Sequence, residues 1–161
     1  NKTTILDDKK NKYKVFAYCR VSTDKNDQRN SLVAQEEFFY RLKKEHPNWE
    51  SFEIFSDEGI SGTSLKNRNG FLEMIRRAKN GEANLIITKE ISRLSRNIRD
   101  TLNVIEDLRN NKIAVFFYIH KLNSIDINDY QQICNLAAAA QAESFATSER
   151  VKIGQIGRAH V

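Results

Sequence analysis

With only two cysteines in 161 residues, Cys19 and Cys134, the chain cannot build a disulfide framework. Each is embedded in an apolar pattern, so both are expected as buried free thiols of a protein kept in a reducing compartment. Hydrophobic runs are short: none approaches the roughly 20 residues that cross a bilayer as a helix, and no signal-peptide pattern opens the chain. The expected localisation is cytoplasmic. The three histidines, His46, His120 and His160, lie far apart in sequence without ligand spacing. No carboxylate cluster suggests paired Mg²⁺ either, so no metal is expected. A phosphate-cradling glycine-rich loop before a helix is also missing, and no nucleotide cofactor is expected. The absent initiator methionine and the abrupt ending Gly157-Arg158-Ala159-His160-Val161 read as an excised fragment with vector residues at its C-terminus.

What is present is enough for one real core. A hydrophobic content of 40% in 161 residues fits a single compact domain with an appended element. The net charge of +5 is compatible with a polyanionic partner but is weak support for one. Residues 1–12 are polar and mixed in charge, and read as a frayed, disordered arm. From Tyr13 onward strands and helices alternate. Short apolar segments rich in β-branched and aromatic residues predict strands at 13–19, 52–55, 85–88 and 113–119.

Helical patterns fill the gaps between them. The first begins after Ser31 as N-cap, turns Leu32, Phe39 and Leu42 toward the core, and stops at His46-Pro47. The second runs from Gly70 to about Lys79 with Phe71, Leu72, Ile75 and Ala78 inward and Asn80-Gly81 as its stop. The third carries Leu94, Ile98, Leu102, Ile105 and Leu108 at spacings of three and four. This alternation predicts an α/β fold, a mostly parallel sheet of about four strands with flanking helices. The domain would span 13–128. A polar loop, 120–129, leads into a long helix from Tyr130 to about Lys152, whose Ile133, Leu136, Ala137, Ala140, Ser144 and Val151 form a narrow seam of small residues. That seam could pair with a second copy or pack on its own domain, and the sequence leaves both open. Segment 129–161 is thus expected as the truncated start of an oligomerisation helix. Its end, with Arg150, Lys152 and Arg158 and no acid beyond Glu149, could enter the field of a polyanion.

The chemistry gathers where strands end. Tyr18, Arg20 and Ser22 alternate along the first strand and share a face, with Cys19 and Val21 on the other. A hydroxyl is thereby aligned with a guanidinium, whose planar donor fork suits a phosphodiester. Taken singly, a serine after a strand ordinarily caps a helix or closes a turn. The segment after the third strand, however, carries Arg93 and Arg96 three apart on one helix face. The loop after the second carries Asp57, Gly59, Ser61 and Gly62 and leads to Arg68. In a parallel α/β sheet such strand ends meet at one rim. Preorganised cations at that rim would stabilise the charge that builds up during attack on phosphate.

These residues resemble a known family. Tyr18-Cys19-Arg20-Val21-Ser22-Thr23, Ser31-Leu32-Val33-Ala34-Gln35, Asp57-Glu58-Gly59-Ile60-Ser61-Gly62, Arg68, Ser92-Arg93-Leu94-Ser95-Arg96-Asn97 and Ala140-Gln141-Ala142-Glu143-Ser144 occur in the order and spacing of the serine site-specific recombinases, the resolvase and invertase group. The resemblance covers about Tyr13 to Lys152 and is nearest to the large subgroup of phage integrases and transposon or cassette recombinases. It implies that Ser22 attacks one strand of double-stranded DNA, leaving a 5′-phosphoserine link and a free 3′ hydroxyl. Strands would then be exchanged by a homodimer that becomes a homotetramer, without metal or nucleotide cofactor. It further implies that Arg20, Arg68, Arg93 and Arg96 bind the scissile phosphate, that Tyr18, Gln35, Asp57 and Ser61 support them, and that the protein is bacterial or phage-encoded.

Ser92 and Ser144 depart from the Asp and Arg of the small resolvases and suit the large subgroup, whereas Phe145-Ala146 stands where many members of that subgroup would carry a basic or polar residue. No zinc ribbon or helix-turn-helix is recognisable, so site choice is expected in segments further along. The competing readings are a non-catalytic flavodoxin-like self-association module and a phosphodiesterase that releases the serine ester with water.

Overall fold

The structure, a computed structural model, describes residues 2–22, 31–59, 69–91, 98–139 and 142. Its strands are β1 (Lys14–Ser22), β2 (Ser51–Gly59), β3 (Leu85–Thr88), β4 (Ala114–Phe117) and β5 (Leu122–Asn123). They form one sheet in the order β2-β1-β3-β4-β5, parallel except for the β4–β5 pair. The helices are α1 (Leu32–Glu45), α2 (Asn69–Arg77), α3 (Ile98–Asn110) and α4 (residues 127–139). This is the expected mostly parallel α/β architecture, with a fifth strand that the polar character of 120–129 concealed. Leu122 and Asn123 pair with Phe117 and Phe116, and Leu122 is buried.

Alternation along β1 divides the core. Phe16 and Tyr18 join Phe71, Met74, Ile105, Leu108 and Ile133 under α2, α3 and α4. Val15, Ala17 and Cys19 face the opposite way, toward Phe39, Leu42 and Trp49 on the α1 side. The central strands β3 and β4 are buried on both faces, which is why their sequences read as continuous apolar runs.

Helix α1 starts where its sequence says it should, with the Ser31 hydroxyl accepting from the Ala34 N–H at 3.2 Å. Helix α2 differs in its buried face. Phe71, Met74 and Ala78 lie inward at i, i+3 and i+7, and Leu72 is 46% exposed. The helix runs into a wide turn at Ala78–Glu82 that Gly81 closes with φ +95°, where a Cβ would be strained. In α3, Thr101, Ile105 and Leu108 are buried, and Leu94 lies outside the described residues. In α4, Ile133 and Ala137 are fully buried against the domain, so its first turns pack on their own sheet; Leu136 is 38% exposed. The rest of the seam, Ala140, Ser144 and Val151, lies outside the described residues. Cys19 is buried and Cys134 half-buried, and neither is in a disulfide.

The N-terminal arm is more tightly held than its composition suggests. Thr4 and Asp7 form a reciprocal cap around the short turn Ile5–Asp7, Leu6 is buried, and Lys2 is paired with Asp129 at 2.8 Å. The Tyr13 hydroxyl donates to Asp8 at 2.9 Å.

Candidate active site

Because β1, β2 and β3 run parallel, their carboxyl ends share one rim. Register places Arg20 opposite Asp57 and Ser22 opposite Gly59, so the two segments that the sequence singles out finish side by side. Beyond β3 follow Lys89, Glu90 and Ile91, which lead toward Arg93 and Arg96.

Asp57 organises what can be described of this rim. Its Oδ2 accepts from the Tyr18 hydroxyl at 2.8 Å and from the Phe71 N–H at 2.8 Å, and its Oδ1 accepts from the Gly70 N–H at 2.7 Å. A carboxylate from β2 thus caps the N-terminus of α2, whose free N–H groups and positive dipole end favour an anion. Gly70 is required at this contact: a Cβ there would lie 2.4 Å from the Ser56 carbonyl oxygen and 2.8 Å from Asp57 Oδ1. Tyr18 is buried, and its ring stands edge-on to Phe71 at 5.3 Å. Arg20 is half-buried, and its carbonyl accepts from Gln35 Nε2 at 3.3 Å, which ties the start of α1 to the end of β1. Thr88, buried at the end of β3, donates through its hydroxyl to the Tyr18 carbonyl at 3.4 Å.

Tyr18, Arg20, Gln35 and Asp57 therefore meet at one end of the sheet. Ser22 is in place as the last backbone position of β1, but its side chain lies outside the described residues. So do Ser61, Arg68, Arg93, Arg96, Arg150 and Lys152, and with them the departures Ser92, Ser144 and Phe145. Chain continuity links Arg68 to Asn69 and Gly70, which abut Asp57. Sequence reasoning passed over Gly70 and Thr88. A glycine opening a helix could have signalled the first; a threonine at a strand end carries no comparable signal. Among the described residues no group of three His, Cys, Asp or Glu side chains gathers as metal ligands would. No described helix is long and apolar enough to cross a membrane.

The five-stranded, mostly parallel fold and the sequence that builds it are matched in known proteins. The chain belongs to the resolvase N-terminal domain family, whose model matches residues 15–160. It is thus a serine recombinase catalytic domain, and that family implies site-specific recombination and DNA binding. A Pseudomonas putida resolvase/recombinase is 30% identical over 143 residues, which cover 89% of this chain and 72% of the relative. The Tn2501 transposon resolvase of Escherichia coli is 33% identical over 103 residues, and the chain spans only about half of it, 48%. A resolvase family site-specific recombinase from Streptococcus pneumoniae superposes with a TM-score of 0.64 at 25% identity, over 93% of this chain and 100% of that one. The N-terminal catalytic domain of TP901-1 integrase shares the fold, with a TM-score of 0.64 at 24% identity over 82% and 97%.

Proposed function

We propose that this chain cuts and rejoins double-stranded DNA through a serine ester, with Ser22 as the nucleophile. The observation that carries this reading is the rim, where β1 ends at Ser22 two residues after Arg20, in register with the Asp57 segment that leads to Arg68. The Ser22 hydroxyl oxygen attacks phosphorus, the P–O3′ bond breaks, and the DNA strand leaves with a 3′ hydroxyl while its 5′ phosphate stays on the protein. In the reverse step the 3′ hydroxyl of an exchanged strand attacks the phosphoserine and frees Ser22. One phosphodiester replaces another, so the sequence of steps needs no energy source.

Negative charge grows on the non-bridging oxygens in both directions. Arg20, Arg68, Arg93 and Arg96 are the cations assigned to it, and one such donor is worth about 3 kcal/mol of barrier. Tyr18 and Asp57 act here as positioning residues: the carboxylate is engaged by three donors and holds the α2 terminus against β2. Gln35 ties α1 to the Arg20 backbone, and Ser61, on the segment between Asp57 and Arg68, is assigned a supporting role. Assembly as a dimer and then a tetramer through the C-terminal helix, with Arg150 and Lys152 reaching DNA, completes the reading.

The experiment is cleavage of a cognate site by the longest available form of the protein. Ser22→Ala should bind DNA and give no protein-linked 5′ ends. Protein-linked cleavage by that variant would remove Ser22 from the role.

A further inference from the structure

Basic side chains around the sheet are held in two ways, by carboxylates and by aromatic rings. Along α2 and the turn after it they are neutralised, Arg76 by Glu73, Arg77 by Glu53 and Glu82, Lys79 by Asp107, whereas Arg109 of α3 lies over the Tyr130 ring at 4.5 Å and donates to the Ser124 carbonyl. On the α1 side, Arg41, Lys89 and Lys121 have no carboxylate within ion-pair distance among the described residues. Two of them are held by aromatic rings instead. Lys89 Nζ lies 4.5 Å from the centre of Phe38, and Lys121 Nζ lies 4.9 Å from that of Tyr118. The rings pack edge to face at 4.8 Å, so the two ammonium groups belong to one patch. Arg41 joins it along a groove of about 260 Å³ lined by Phe38, Leu42, Glu45 and Tyr118.

A ring and a carboxylate do different things to a cation. Both locate it, but the carboxylate cancels its charge, whereas the ring leaves the charge available to an incoming anion. The patch also adjoins the active-site rim. Lys89 directly follows β3, and the Tyr118 and Ile119 N–H groups donate to the carbonyls of Thr88 and Lys89, continuing the β3–β4 pairing outward. Lys121 sits at φ +54°, a backbone position that favours glycine, and its carbonyl is clasped by Lys2. The nearby acids are Asp129, which Lys2 neutralises, Glu45 at the end of the groove, and Glu90 beside Lys89.

We propose that Arg41, Lys89 and Lys121, set around Phe38 and Tyr118, form a docking surface for the phosphate backbone of duplex DNA flanking the cleavage point. The proposal rests on the DNA reading above and adds to it a face of the domain that the strand-end arginines do not use. Charge selects the occupant: three uncompensated cations on one side of a rim assigned to a phosphodiester fit a polyanion continuous with it. Such contacts carry no sequence information and act through counterion release.

The test is the salt dependence of binding to a random-sequence duplex, comparing the unaltered chain with Arg41→Gln/Lys89→Gln/Lys121→Gln. Removing one cation from a phosphate should flatten the log–log slope by about 0.9, so the triple variant should show a slope shallower by about 2 to 3 units. Lys9→Gln/Lys10→Gln/Lys12→Gln removes equal charge from the exposed arm and should leave the slope nearly unchanged. Lys89→Arg/Lys121→Arg should retain it, which separates charge from folding, and melting curves check all variants. An unchanged slope in the first variant, or an equal flattening in the arm variant, would overturn the patch while leaving the DNA reading intact. That outcome would point instead to an acidic protein as the occupant. Absence of salt-dependent binding by the unaltered chain would defeat both.

Discussion

At the scale of single residues, Asp57 and Gly70 show how a site can be built from backbone as much as from side chains. The α2 terminus reaches β2 only because position 70 has no Cβ, and the approach lets one carboxylate collect two N–H groups and the Tyr18 hydroxyl. Gly70→Ala must push the first turn of α2 away and break this cap, at a cost of about 2 kcal/mol or more. Urea denaturation should show it, and a variant as stable as the original would mean that the helix absorbs the shift elsewhere. Tyr18→Phe removes only the hydroxyl donor. The expected loss is about 1–2 kcal/mol, and most of it should vanish in an Asp57→Ala background, because a hydrogen bond counts once.

Among elements, the N-terminal arm and α4 carry opposite expectations. Burial, followed by the bond to Asp8, pushes the Tyr13 phenol up from 10.0 to about 12. The folded state therefore holds that proton more tightly, and its contribution is full below pH 10 and lost as pH rises through about 12. Hydrogen bonds from Asn11 and Tyr13 hold Asp8 down from 3.8 to about 2, so its contribution is present above pH 3.8 and fades as pH falls through about 2. Amide exchange in residues 2–12 should accelerate beyond both limits, and Tyr13→Phe should abolish the alkaline step. For α4, Ile133→Ala empties a fully buried site and should cost about 2–5 kcal/mol. Leu136→Ala, at a position 38% exposed, should leave the monomer's stability within about 0.5 kcal/mol. If this helix pairs with a second copy, the same variant weakens the dimer in sedimentation.

For the whole molecule, the distribution of charge is the notable property. The net +5 is not spread evenly, since Arg76, Arg77 and Lys79 are paired with acids while on the α1 side Arg41, Lys89 and Lys121, like Lys43 and Lys44, have no acid partner among the described residues. Random duplex DNA should therefore be bound weakly and be released by salt, as expected for phosphate contacts without base readout. Tight binding indifferent to salt would reveal a base-reading surface within these residues. Because arginines are assigned the charge-stabilising role, strand exchange by the longest available form of the protein should persist in EDTA. Loss of exchange with rescue by Mg²⁺ would show the phosphate to be bound in another way.

Local signals in the sequence settled β3 at 85–88, the Ser31 cap of α1, and the opposite facing of Tyr18 and Cys19. Each depends on neighbours a few residues apart: strand alternation, a hydroxyl reaching three residues on, an unbroken apolar run. The motif blocks went further and identified the family, because their order and spacing record a site directly. Tertiary structure decided the rest. The α2 cap comes from a residue 13 positions upstream, so no local pattern announces it. Met74 rather than Leu72 enters the core because the cap and the Gly70 approach set the helix's rotation. β1 and β2 extend to Ser22 and Gly59 through polar residues because each supplies the other's hydrogen bonds, and Leu122 becomes a strand only beside Phe117. A seam equally suited to a second copy is partly used by the domain itself: Ile133 packs into the sheet's own apolar core and Ala137 is fully buried, and that burial needs no second molecule.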